Sequence, residues 1–142
     1  MKSSTFWFGW ATLMLPLHMS EQLLFGIGEL ATIKRVLVHY YAWFRQPDYG
    51  TVLLVTIVGT LVCALTFAIL VGGRWKELSL AVWAFICLGE IHHVVETIRA
   101  GHYTPGTITS IPYVVVGTLL MLAIVREHRA QARSTVLALS SC

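Results

Sequence analysis

The sequence predicts an all-α membrane protein: a four-transmembrane-helix bundle with an interfacial amphipathic helix between spans 1 and 2. Three observations predict it. Of 142 residues, 56% are hydrophobic and only 12% charged, with a mean hydropathy of +0.72. Soluble domains carry about twice that charged share. The apolar residues gather in runs of about 20, the length that crosses a hydrocarbon core of roughly 30 Å. The basic residues mostly flank those runs, as membrane-edge anchors do.

The first span is predicted from Phe6 to Ile27. Lys2 followed by apolar residues looks like a signal peptide, but no A-x-A site follows and Pro16, His18 and Glu21 interrupt the run. A retained span is therefore expected. Glu29 to Arg45 is too polar to cross. Its Leu30, Ile33, Leu37, Tyr41 and Phe44 recur at helical spacing, which predicts an interfacial helix over 29–45. The second span covers Thr51 to Val71, opened by Pro47-Asp48-Tyr49-Gly50 and closed by Gly72-Gly73. The third covers Leu78 to Ile98. The fourth runs from Pro105 to Val125, with Thr104 as N-cap and Pro105 at the first helical position. Arg126, Arg129 and Arg133 then begin a polar tail over 126–142.

One domain, residues 1–142, is expected. Of the 10 basic residues, Lys2, Arg74, Lys76, Arg126, Arg129 and Arg133 share one side and Lys34, Arg35, Arg45 and Arg99 the other. That balance places both termini in the cytoplasm. No basic stripe lies on a soluble face, which excludes nucleic-acid binding. Cys63 and Cys87 fall within apolar runs and read as small buried hydrophobes rather than a disulfide framework.

The chemistry lies in the ionisable residues inside the spans. His18 and Glu21 occupy the first; Glu90, His92, His93 and Glu96 occupy the third. A charged side chain at bilayer depth costs roughly 2.5–3.5 kcal/mol on insertion scales, so such groups are rare and functional. Bound metal, mutual pairing or protonation must offset that cost. In an up-down bundle the first and third spans run parallel, and at 1.5 Å per residue the two sets reach one depth. His18, Glu21, Gln22 and Glu29 share a stripe of the first helix. On the third, Glu96 and His93 lie at the centre of the polar arc, with Glu90 and His92 on its flanks.

Glu90-x-x-His93 has the i,i+3 spacing with which di-metal helical bundles aim two ligands inward, and His18-x-x-Glu21 and His93-x-x-Glu96 reverse its order. The expected metal ligands are His18, Glu21, Glu90, His93 and Glu96, for a divalent zinc, iron or manganese ion. Glu21, Glu96, His92 and His102 are the candidate catalytic residues, His102 lying in the Gly101–Gly106 loop at the mouth. Pro16 and Pro112 each remove a helical hydrogen bond and would open room in the bundle.

Pro16-Leu-His18-Met-Ser-Glu21-Gln22, the histidines of the third span, and Tyr103-Thr-Pro105-Gly106-Thr-Ile-Thr109 together resemble the HXXEE-domain membrane proteins. The resemblance reaches from the first span into the fourth. It implies roles for His18 and Glu21, with the family's further histidine matched by His92, His93 or His102. Gln22 stands where the motif has its second glutamate, which removes one carboxylate from the first helix.

Three functions are compatible with such a chain. The first is a metal-dependent membrane enzyme, of hydrolase or oxidoreductase type, acting on a lipophilic small molecule among membrane lipids. The second is a metal-free acid/base isomerase or cyclase on an isoprenoid, sterol or polyketide. The third is a small proton-coupled or metal transporter, for which so narrow a bundle would call for a homo-oligomer.

Overall fold

The computed structural model describes residues 3–25 and 47–140, and among them there is helix and no strand. The helices are α1 (Ser4–Phe25), α2 (Pro47–Val71), α3 (Gly73–Gly89), α4 (Ile91–Ala100) and α5 (Thr107–Ser140). The interfacial helix expected over 29–45, with Glu29 and His39, lies outside the described residues.

Each junction has a local cause. α2 turns into α3 at Gly72 and Gly73, whose φ of 84° and 54° suit a residue without Cβ. α4 ends where Gly101, in the left-handed region, donates its N–H to the Thr97 carbonyl at 3.0 Å. α1 and α5 continue through Pro16 and Pro112.

α5 is the central helix, with α1 and α3 packed along it. The core between them holds Ala11, Leu80, Trp83, Ala84, Cys87, Tyr113 and Leu120. Gly117 sets the approach of α3 to α5: a Cβ there would stand 2.6 Å from the Cys87 Cβ and 3.2 Å from the Ala84 carbonyl. Small residues facing each other let two backbones come that close. α2 packs against α3, with Val62, Leu65 and Ile69 against the core.

Three sequence expectations are corrected. The third span is not one continuous helix. It is interrupted at Glu90, whose carbonyl accepts the His93 N–H at 3.2 Å in a tighter turn. The fourth helix starts at Thr107 rather than Pro105 and passes Arg126, Arg129 and Arg133 to Ser140. Arginine is a good helix former, so these charges do not end the helix. Cys63 is exposed on α2, while Cys87 is buried as expected.

Among the described residues, two helical stretches, Gly73–Ala100 and Thr107–Leu137, are long and apolar enough to cross a membrane.

Candidate metal centre

His18 comes from the middle of α1, His93 from the first turn of α4, and Glu90 from the break between α3 and α4. His18 and His93 are buried and Glu90 is 19% exposed. Glu90 Oε2 stands 3.0 Å from His18 Nε2 and 3.2 Å from His93 Nε2. One ligand atom from each of the three residues lies within 4.8 Å of the others. Glu90 and His93 stand one turn apart, so both side chains face His18 across the same side of the chain.

Gln22, one turn beyond His18, joins the group. Its amide nitrogen stands 2.8 Å from both His18 Nε2 and His93 Nε2. A half-turn of the amide puts its carbonyl oxygen, an acceptor, at the same point.

Behind His18, Nδ1 stands 2.8 Å from the Thr109 hydroxyl. Behind His93, the chain crosses close by: a Cβ on Gly106, whose φ is 93°, would lie 2.8–3.0 Å from three ring atoms. Only glycine leaves that ring its place. A knot of threonines secures the same crossing. Thr97 Oγ1 meets the hydroxyls of Thr104 at 2.6 Å and Thr107 at 2.5 Å, and both of those reach the His93 carbonyl, at 3.3 and 3.4 Å.

Glu21 is buried but stands outside the three-ligand group. Its carboxylate accepts the backbone N–H of Ile108 at 3.1 Å and of Thr109 at 2.8 Å, the Tyr103 phenol at 2.5 Å, and the Thr109 hydroxyl. An acidic group of α1 thus satisfies the N-terminal turn of α5, where N–H groups lack intrahelical partners and the dipole favours negative charge. Burial, and then the hydrogen bond to Glu21, push the Tyr103 phenol up to about 12, so it remains a donor at neutral pH.

The other candidates fall around the group. His92 is partly exposed, with Nδ1 donating to the Gly89 carbonyl at 3.0 Å and lying 4.0 Å from Glu90 Oε2. Its ring packs on His93 with centroids 4.0 Å apart. Glu96 is half-buried, one turn along α4 from His93, and is not a member of the three-ligand group. His102 is exposed, and its Nδ1 pairs with the Tyr103 carbonyl at 3.0 Å.

A cavity of about 220 Å³ adjoins the group, between α1, α2 and α3. His18, Gln22, Glu90 and His92 form its polar end. Its other walls are apolar, among them Met19, Val58, Leu61, Trp83 and Ile86.

Sequence reasoning missed the site role of Thr109. The signal available was the threonine spacing of Thr104, Thr107 and Thr109 immediately before an apolar run.

No protein-family model, no curated protein and no solved structure matches this chain. The likeness to HXXEE-domain proteins therefore rests on the motif residues alone.

Proposed function

We propose that the chain is a four-span membrane enzyme whose His18, Glu90 and His93 bind one divalent metal ion, and that it acts on a lipophilic small molecule held in the adjoining cavity. The carrying observation is the convergence of two imidazole nitrogens on one carboxylate oxygen at 3.0 and 3.2 Å. Ligand bonds of about 2.0 Å in a tetrahedral shell separate neighbouring ligand atoms by roughly 3.3 Å, so the spacing suits zinc with little movement. Two histidines and one carboxylate with an open position also serve zinc hydrolases and non-haem iron oxygenases.

Support for the membrane setting comes from the large apolar side chains left exposed on every helix, among them Leu24, Leu70, Phe85, Ile98 and Ile111. Apolar surface on that scale needs lipid or a partner to cover it. The basic-residue balance orients both termini to the cytoplasm.

A bound metal would supply a Lewis acid or an activated water at the polar end of the cavity. The chain's own residues do the rest. Leu61, Ile86 and Trp83 hold the apolar body of the substrate and keep bulk water out. His92, at the cavity wall and 4.0 Å from Glu90, is placed to move a proton at the substrate.

A second reading has its own support: the His18–Glu90 contact at 3.0 Å is equally an ion pair if the ring carries a proton. The site would then be an acid/base pair acting without metal. Elemental analysis separates the two readings. Purified wild type is expected to carry about one zinc, iron or manganese per chain, and Glu90→Ala none; substrate turnover by a metal-free wild type would establish the acid/base reading instead.

A further inference from the structure

A chain of hydrogen bonds runs from the loop before α5 to the inner group. The Tyr103 phenol donates to Glu21 Oε1 at 2.5 Å, and the Thr109 hydroxyl donates to Glu21 Oε2. His18 Nδ1 lies 2.8 Å from that same hydroxyl oxygen. A threonine hydroxyl has one proton and lone pairs to spare. With its proton given to Glu21, Thr109 has only an acceptor to offer His18. Nδ1 must therefore carry a hydrogen; in the neutral ring that leaves the Nε2 lone pair facing Glu90 and His93, where the Gln22 amide stands 2.8 Å away to donate to it.

We infer that Thr109 is a positioning residue: its hydroxyl, oriented by Glu21, selects the His18 tautomer and aims the Nε2 lone pair into the group. The affinity consequence rests on the metal-site reading, whereas the tautomer is readable without metal. Which imidazole nitrogen binds metal is decided by the hydrogen bond that the other one makes. Carboxylates and carbonyls commonly supply that bond directly. Here the carboxylate acts through a hydroxyl, because both Glu21 oxygens are already engaged by the start of α5. The arrangement also couples the site to the fold. Thr109 receives its position from the α5 N-terminus that Glu21 holds, so closing that helix start and orienting His18 are one event.

The test uses the full chain in detergent, free of metal, with ¹⁵N-labelled histidine, the His18 signals being those absent from His18→Asn. In the wild type Nδ1 should bear the hydrogen and Nε2 should be bare. Thr109→Val should abolish that preference, and Thr109→Ser should restore it. In zinc titrations Thr109→Val should raise Kd by about 10–100-fold, the usual effect of losing an outer partner, with Thr109→Ser within about threefold of wild type. A wild-type ring bearing its hydrogen on Nε2 would overturn the inference even if Thr109→Val failed to fold. So would a Thr109→Val ring that kept the wild-type tautomer, or equal zinc weakening by the valine and serine variants. A wild type that bound no zinc yet showed the expected tautomer would remove the metal reading and leave Thr109 in its role.

Discussion

His93→Ala is expected to abolish metal binding, raising the zinc Kd by more than about 100-fold, beyond the range for outer-shell partners. His93 is fully buried, and its Nε2 stands 3.2 Å from Glu90 Oε2 and 2.8 Å from the Gln22 amide. Without the ring, His18 and Glu90 remain as a two-ligand remnant beside a void. His92 does not replace it: its Nδ1 is 4.0 Å from Glu90 Oε2 and donates to the Gly89 carbonyl. His92→Ala should accordingly keep about one metal per chain while losing turnover. Zinc titration with both variants checks the pair of outcomes, and equal loss in the two would place the ligand on the wrong histidine.

Gly106→Ala is expected to have the second large effect, at a residue with no functional group. Its φ of 93° is one that alanine adopts only under strain of about 1–3 kcal/mol. The added Cβ would also meet Cε1, Nδ1 and Nε2 of His93 at 2.8–3.0 Å, and overpacking a filled site adds about 1–3 kcal/mol. To relieve that contact the buried ring must shift away from Glu90, or the loop must open. Both lower the midpoint of thermal unfolding in detergent and weaken zinc. Gly101→Ala is the control. It has a φ of 70° but nothing within 4 Å of its would-be Cβ, so it should show the backbone strain alone and keep its metal.

The helices were legible because membrane-length apolar runs and flanking charges are long-range features of the sequence. The common depth of His18 with Glu90 and His93 was legible for the same reason: rise per residue in a helix is nearly constant. The ligand set was harder to read. Placing Glu96 at the centre of the polar arc assumed a regular helix through Glu90, and the chain turns more tightly there. Glu90 stands beside His93 because the two are three residues apart. Glu21 read as a ligand because it shares a face with His18. Its oxygens are engaged instead by the Ile108 and Thr109 N–H groups, whose position depends on where α5 begins. That start, at Thr107, is fixed by the threonine knot with Thr97 and Thr104, a tertiary arrangement that no periodicity announces. Thr109 was unreadable for the same reason, since a threonine near a helix start is ordinarily only a cap.

X-ray absorption at the zinc edge of the zinc-loaded wild type tests most directly whether His18, Glu90 and His93 form one coordination site. Two imidazoles with one or two further oxygen or nitrogen neighbours at about 2.0 Å, and no sulfur, is the expected shell. A sulfur ligand, a single imidazole, or an unchanged spectrum in His18→Asn and His93→Ala would contradict it.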